Sequence, residues 1–556
     1  MSATGKPWFE REPERLQWEL DEFARHALEI EIAEDEERHL VVRVVGGLVF
    51  RGEPAVATVE YSHGHPYFPP TITGDAKLLD RHQDPVGLNY CLLEDPLNEW
   101  APSRSAGQLV GKSLRRLLAD SAAGVDKIRE GEANMAEPVS AQFPCLTLGV
   151  TLVPEPFLER ELAARGGDIR VAADGVLRVL TTASGIGTAD PALVAKFIDA
   201  PTYLKGRWVA LDTVVPERPP AHELLKVVAA VDATMERRLT RQLKEKRKLN
   251  AASAVLGITF LEQGPTRDDV RRTWVFADVR QKRAWPPGVR HFIRAQALTK
   301  AERQRRIPEL AGLDAVRVVV VGAGSLGAPL ALELARAGTG VIDLVDLDIY
   351  DVNNTVRHVV DAAKAGHEKT ELVADRCRAL NPFIDVRVHT TLLGHRLDQE
   401  ELLDELTRDA TIVVDTTGSQ TLARLLSDHC RAVGTPLVIL GLTAASYGGE
   451  ILVVRAGPCL DCFIAAEERG EIPQPPEGER SAVTPIGCRH PAFAGAGFEA
   501  TELAAIAART VVRATGATDY PALEANWIIL DFRGAEHYRE GRIDVQPDCH
   551  AHEEMA

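Results

Sequence analysis

These 556 residues predict a multidomain chain of mixed class, α+β in its first part and α/β in its last. Three observations carry that expectation. The length exceeds what one hydrophobic core fills. A helix-period segment gives way to strand-period segments within the first 150 residues. Near residue 320 a run of valines passes directly into a glycine-rich loop and an apolar helix, the pattern of a doubly wound nucleotide-binding sheet. The natural divisions are 1–150, 151–299 and 300–556.

Composition narrows the class further. With 45% hydrophobic and 26% charged residues the chain reads as globular rather than disordered. A formal charge of -17 speaks against a sequence-independent nucleic-acid binder, and no specific nucleic-acid partner is expected. Met1-Ser2-Ala3-Thr4 opens no apolar leader, and the longest apolar stretches, such as 315–331, are broken by glycine, so no membrane span is expected. Eight cysteines over this length fit reduced thiols in a cytoplasmic protein better than a disulfide framework.

In the first part, apolar recurrence at Leu16, Trp18, Leu20, Phe23, Ala24, Ala27 and Leu28 predicts an amphipathic helix within residues 10–33, and strands follow at 39–45 and 55–61. His65-Pro66-Tyr67-Phe68-Pro69-Pro70 is too rich in proline for a central strand and predicts a rigid turn. Cys91, in Asn89-Tyr90-Cys91-Leu92-Leu93, follows a loop containing Pro85 and Gly87, which places its thiol on an irregular, accessible segment; 105–120 then reads as helix. A cysteine taken alone is more often a small buried apolar residue. The ordered set of proline-rich exit, Asn-Tyr-Cys-Leu and, nine residues on, Trp100-Ala101-Pro102 resembles the ubiquitin-conjugating fold. That resemblance implies that Cys91 accepts a thioester. The family's His-Pro-Asn before the cysteine is replaced by His82-Gln83-Asp84, which leaves His82, Asp84, Asn89 or a backbone donor to support the developing oxyanion.

The middle, 151–299, is expected to be a linker with a small α+β domain. Strands are indicated at 169–180 and 208–215, a proline-rich boundary at Pro216-Glu217-Arg218-Pro219-Pro220, a charged helix over 223–250, and strands at 254–260 and 273–279. The alternating charges of 236–249 read as a solvated helix face rather than a nucleic-acid contact.

The last part carries the clearest chemistry. Val318-Val319-Val320-Val321 predicts a buried strand, and Gly322-Ala323-Gly324-Ser325-Leu326-Gly327 lets backbone N–H groups approach phosphates at the N-terminus of the helix 328–337. A second strand, 341–345, ends in Asp346-Leu347-Asp348, either carboxylate of which can hold ribose hydroxyls. A glycine loop of this kind is equally at home in an NAD-linked oxidoreductase. Asn354, Arg357, Lys369 and Asp415 distinguish the two, because a dehydrogenase has no need of that cationic set, whereas AMP transfer to a carboxylate needs phosphate charge neutralised and magnesium held by an aspartate.

Gly322, Gly324, Gly327, Asp346, Asp348, Asn354, Arg357, Lys369 and Asp415, in that order, resemble the ubiquitin-activating family and its bacterial relatives that adenylate sulfur-carrier proteins through a Rossmann-like domain. The resemblance implies ATP and magnesium, with Asp346 on the ribose, Asn354, Arg357 and Lys369 on the phosphates and Asp415 on the metal. It also implies a homodimer in which Arg303, Arg305 or Arg306 reaches the partner's ATP site.

Cys459-Leu460-Asp461-Cys462 and Cys549-His550-Ala551-His552 present two ligand pairs at one spacing, a Cys3His set for structural zinc built from Cys459, Cys462, Cys549 and His552, with His550 as the alternative fourth ligand. Cys488 lies between the pairs, beside Arg489 and His490, whose charge favours a thiolate. Relatives carry their catalytic cysteine at the corresponding place.

The fused arrangement resembles the bacterial two-in-one ligases of anti-phage CBASS operons and of related ubiquitin-like modification systems. It implies adenylation of a protein C-terminal carboxylate, whether of a ubiquitin-like protein or of a CBASS nucleotidyltransferase, capture on Cys488, transfer to Cys91 and conjugation to a target amine. The alternatives are an adenylyltransferase that feeds sulfur transfer through a ThiS/MoaD-like carrier, and a non-catalytic scaffold.

Overall fold

The computed structural model describes residues 6–76, 78, 79, 82, 83, 88–93, 95–123, 140, 149–211, 237, 253–263, 269–280, 288–394, 400–479, 495–547, 549 and 552. The chain forms two compact units, Met1–Leu298 and Thr299–Ala556.

The first unit opens on a helical turn, Trp8–Arg11, followed by the helix Pro13–Arg25, whose proline at the first turn needs no N–H partner. The helix is shorter than its apolar spacing predicts. It stops at His26, and Ala27 takes a positive φ of 51°. The remainder of the expected helix is strand β1 (Glu29–Glu34), because Glu29-Ile30-Glu31-Ile32 alternates with period two. β1, β2 (Leu40–Gly46), β5 (Ala57–Tyr61) and β6 (Thr71–Gly74) form an antiparallel sheet in that order, with a small hairpin of β3 (Val49–Phe50) and β4 (Glu53–Pro54) inserted. Leu40, Val42 and Val44 of β2, with Ala57, Val59 and Tyr61 of β5, face the core, where Phe23 of the helix meets them.

One buried carboxylate ties this layer together. Glu19 accepts from the Tyr61 hydroxyl at 3.0 Å and from the Ala106 N–H at 2.9 Å, and pairs with Arg15 at 2.7 Å. Truncating it leaves the buried Tyr61 hydroxyl and Ala106 N–H without that acceptor, a loss of about 1–3 kcal/mol for each. Ala106 opens the helical run that ends at Ala122, whose middle turn, Leu109–Leu114, is a π-helix.

The middle region departs most from expectation. The strands β7 (Val150–Pro154), β8 (Gly166–Asp174), β9 (Leu177–Ala183), β10 (Gly187–Thr188), β11 (Thr202–Ala210), β12 (Ser253–Gln263), β13 (Val270–Arg280) and β14 (Gly288–Leu298) form one sheet, not a linker followed by a separate small domain. Its order is β10-β9-β7-β14-β13-β12-β11-β8, and β8 pairs back onto β9, so seven strands close into a barrel. Trp208, Trp274, Phe276, Phe157 and Val171 fill one core there. The split expectation failed because β11 and β12, parallel neighbours, lie far apart in sequence, and no local period reports such a pairing. The expected helix over 223–250 lies outside the described residues, Arg237 apart.

The second unit is a doubly wound sheet of order β17-β16-β15-β18-β19-β20-β21-β22. β17 (Asp385–His389), β16 (Val341–Val345), β15 (Arg317–Val321), β18 (Ile412–Asp415) and β19 (Leu437–Leu442) are parallel; β20 (Gly448–Val454), β21 (Trp527–Asp531) and β22 (Tyr538–Gly541) continue antiparallel. One face packs on the helices Gly327–Ala337, Lys369–Leu380 and Gly497–Thr515, and the other on Glu400–Arg408, Gln420–Val433 and Leu460–Glu468. Val318 and Val320 face the first layer, Val319 and Val321 the second, so the valine run is buried on both sides. The chain reverses its winding between β15 and β18, and ligands of such sheets bind at the carboxyl ends of the strands flanking that reversal.

Candidate functional site: a nucleotide pocket, a cysteine–histidine cluster and an exposed thiol

The glycine loop sits at that reversal. Gly322 has φ of 96°, and a Cβ there would lie 2.7 Å from Thr416 Oγ1, the hydroxyl that donates to Val321 O and Gly322 O. A Cβ on Gly327 would lie 1.8 Å from Gly322 O, so no side chain fits where the helix Gly327–Ala337 begins. Gly324 differs, since a Cβ there meets nothing within 4 Å. Two glycines thus serve the turn itself, and the third faces open space in front of the helix N-terminus, where the backbone favours an anion.

Around the loop the predicted side chains converge. Asp346 Oδ2 accepts from Ala323 N–H at 2.7 Å and Oδ1 from Asp348 N–H at 2.8 Å, so this carboxylate shapes the loop before any ligand arrives. Its oxygens retain lone pairs for ribose hydroxyls. Lys369, largely buried, pairs with the exposed Asp348 at 2.7 Å. Arg357 is half-buried, and burial holds its pKa below the ordinary value. The Asn354 side chain is engaged in the capping box of the turn Val352–Val356.

Asp415 ends β18 with its carboxyl buried. Oδ1 accepts from the Thr417 N–H at 2.9 Å and hydroxyl at 2.7 Å, yet burial still pushes its pKa up. A desolvated carboxylate that two neutral donors do not fully compensate suits a cation, and magnesium takes such oxygen ligands.

The three predicted arginines separate. Arg303 donates to Leu380 O, Ala335 O and Arg336 O at 2.9–3.0 Å, closing the C-terminal ends of two helices of its own chain, which makes it a helix cap rather than a residue reaching into a partner. Arg305 pairs with Glu302, and Arg306 is exposed. Cys488, Arg489 and His490 lie outside the described residues. Among the described residues near that segment, Gly478 N–H bonds to Ala444 O at 3.0 Å, and a Cβ on Gly497 would lie 2.8 Å from Val356 O and 3.0 Å from Arg357 Cα.

Cys459, Cys462, Cys549 and His552 bring their ligand atoms within 4.8 Å of one another. Cys459 Sγ is 3.4 Å from Cys549 Sγ and 3.8 Å from Cys462 Sγ. Burial pushes the Cys462 thiol up, but the Gln546 and Cys459 N–H groups and the neighbouring thiols outweigh it and hold its pKa low. Burial, aided by Arg431, lowers the His552 pKa, and His552 Nε2 is buried with no hydrogen-bond partner. A thiolate-prone sulfur, a neutral imidazole and an orphaned ring nitrogen fit a zinc ion. His550 lies outside the described residues. By contrast, burial pushes the thiols of Cys377 and Cys430 up to about 12, so they are packing residues.

In the first unit Cys91 is exposed. Its N–H bonds to His82 O at 2.8 Å; the isolated bridge Thr73↔Asn89 attaches the segment to β6, and Gln83↔Tyr90 joins it to the loop ahead. His82 contributes its carbonyl in a left-handed conformation of φ 61°; Asn89 is exposed, and Asp84 lies outside the described residues. Trp100 is buried and donates to Pro66 O at 2.8 Å, joining the Trp-Ala-Pro segment to the proline-rich turn, on which Tyr67 and Phe68 are exposed. Sequence reasoning passed over Gln83. Its buried amide accepts from Leu78 N–H at 2.8 Å and Leu79 N–H at 3.0 Å and donates to Ala76 O at 2.8 Å, pinning the loop ahead of Cys91. Only its place between His82 and Asp84, where the resembling family has proline, marked it.

Fold and loop together are those of a doubly wound α/β domain with a glycine-rich turn at its winding reversal. Residues 301–532 match the model of the ThiF family, and the C-terminal region is an adenylation domain of this type. Over 520 residues the chain is 26% identical to the uncharacterized protein y4oA of Sinorhizobium fredii, covering 85% of this chain and 84% of that protein. It is 30% identical over 260 residues to the adenylyltransferase and sulfurtransferase MOCS3 of Mus musculus, covering 45% of this chain and only 50% of the mouse protein. The crystal structure of E. coli MccB with ATP superposes with a TM-score of 0.34 at 18% identity, covering 44% of this chain and 69% of that one. Among the described residues no helix is long and apolar enough to cross a membrane.

Proposed function

We propose that the chain activates the C-terminal carboxylate of a protein and conjugates it to an amine, in anti-phage defence. The observation that carries this reading is the presence, in one chain, of a ThiF-type domain and an exposed thiol, Cys91, on an irregular segment beside an antiparallel sheet. A carboxylate oxygen attacks the α-phosphorus of ATP, and pyrophosphate leaves. Lys369, Arg357 and the N–H groups of the glycine loop neutralise the charge that builds on the phosphates. Magnesium, held by Asp415, supplies further charge neutralisation. The Cys488 thiolate attacks the acyl carbon and AMP departs, leaving a thioester. The Cys91 thiolate takes the acyl group from Cys488, and a target amine then displaces Cys91, losing its proton as the amide forms.

Cys459, Cys462, Cys549 and His552 hold structural zinc, which fastens the C-terminal tail to the sheet. The substrate is a ubiquitin-like protein or a nucleotidyltransferase of a CBASS operon, and the protein works as a cytoplasmic homodimer in which Arg306 reaches the partner's ATP. Incubating the protein with MgATP and each candidate substrate and resolving it on a non-reducing gel tests the relay. The expected adduct is thiol-sensitive, lost in Cys488→Ala and retained in Cys91→Ala. No adduct in either the wild type or Cys91→Ala overturns it. If Cys91→Ala conjugates as well as wild type, the domain serves sulfur transfer instead; absence of pyrophosphate exchange with any candidate leaves a scaffold.

A further inference from the structure

Ala323, the second residue of the glycine loop, is held at both ends of its backbone. Its N–H goes to Asp346 Oδ2 at 2.7 Å, and its carbonyl receives His358 Nε2 at 2.9 Å. A carbonyl only accepts, so Nε2 carries the imidazole proton. His358 Nδ1 is buried with no hydrogen-bond partner, as a bare lone pair facing no donor would be. Burial holds the pKa of this histidine below the ordinary value; Lys369 and Arg357 lower it further, against the Ala323 carbonyl and Asp346. The ring lies 5.0 Å from that of Tyr350, whose hydroxyl donates to Val360 O at 2.6 Å.

We propose that His358 is a positioning residue for phosphate binding: through its Nε2–H it fixes the Ala323 peptide and so aims the loop N–H groups that follow, at Gly324 and beyond, toward the phosphates. Asp346 fixes the same peptide from the other side, so the peptide cannot rotate without breaking one bond or the other. The energy of a preorganised donor array depends on its not reorganising when charge arrives. His358 also directly follows Arg357, a predicted phosphate contact, so one short segment sets both the cation and the loop. The inference rests on reading this pocket as an ATP site.

Two substitutions separate the hydrogen bond from the ring. His358→Phe keeps the packing on Tyr350 and deletes the donor; His358→Gln gives up the ring and keeps an N–H at similar reach. Calorimetric titration of the full chain with MgATP, and separately with adenosine, reads the effect. Loss of one hydrogen bond predicts roughly tenfold weaker MgATP binding in His358→Phe. Adenosine affinity should change less than twofold, and His358→Gln should bind MgATP within about threefold of wild type. Equal weakening by both variants, no weakening by either, or parallel weakening of MgATP and adenosine overturns the proposal. Wild-type protein that binds no MgATP refutes the ATP-site reading instead. Should His358→Phe fail to fold, the long-range proton–nitrogen spectrum of histidine-labelled wild type decides: an Nε2 that carries its proton at pH 7.5 is expected, and a neutral Nδ1–H tautomer, which leaves Nε2 without a proton to donate, overturns the proposal.

Discussion

Removing the tail half of the cysteine–histidine cluster should loosen the second unit by a calculable amount. Cys459 and Cys549 stand 90 residues apart in sequence, so a shared ion closes a loop of about that length. Treated as a cross-link, that closure removes about 4–5 kcal/mol of unfolded-chain entropy at 25 °C. For a unit of about 250 residues, each kcal/mol moves Tm by about 2 °C, giving an expected drop of about 8–10 °C. The perturbation is the double variant Cys549→Ser with His552→Ala, which leaves Cys459 and Cys462 in place. The assay is scanning calorimetry with and without a zinc chelator, beside colorimetric zinc determination on purified protein. Wild type should carry one zinc per chain and lose about the same Tm to chelator as to the double substitution, and chelator should not affect the variant. A zinc-free wild type, or a variant melting within 2 °C of it, would refute the reasoning.

Asp415→Asn should abolish ATP–pyrophosphate exchange while keeping the fold, because the amide fills the same buried space without charge; exchange within tenfold of wild type would count against a metal-holding role. Gln83→Ala leaves the buried Leu79 N–H unpaired and frees the loop before Cys91, a cost of about 2–4 kcal/mol, and should slow transfer to Cys91 without affecting adenylation; transfer at the wild-type rate contradicts it. Glu450, half-buried beside Gly441, has its pKa raised to about 7 by desolvation first and the Glu467 charge second. The folded state therefore holds a proton that the unfolded chain releases near pH 4.5, so stability falls as pH rises from about 4.5 to 7, by at most about 3 kcal/mol. Glu450→Gln should melt higher than wild type at pH 8 and no higher at pH 4, which paired melting curves decide.

The parts of this molecule legible in sequence were those whose determinants are local. Val318 to Val321, the glycine loop and the aspartates at strand ends announce themselves by type and spacing; Asp346 accepts from the loop N–H of Ala323, and Asp415 ends the strand beside Val321. Ligand pairs repeated at one spacing announced the cysteine–histidine cluster. His358 and Gln83 escaped because their work is done through bonds to backbone carbonyls and amides of other segments, which no side-chain pattern encodes. Strand β1 escaped because the helical recurrence that runs to Leu28 carries the expected helix on to residue 33, over the period-two alternation of Glu29 to Ile32; the chain changes direction at the left-handed turn at Ala27. The barrel escaped because its closure joins strands distant in sequence.

That closure also fixes an order of events during synthesis. β7 pairs in parallel with β14, Val150 opposite Arg294 and Pro154 opposite Leu298, so the first barrel strand waits for the last. The sheet beside Cys91, complete by Gly74, can form while the chain is still being made, as can the helical run that ends at Ala122. The barrel cannot close until residue 298 has cleared the ribosome, and until then β7 and β13 lack their shared neighbour β14 and expose pairing edges. Growing chains that stop before residue 288 should therefore be cut readily by protease between 150 and 211 while the sheet preceding them resists.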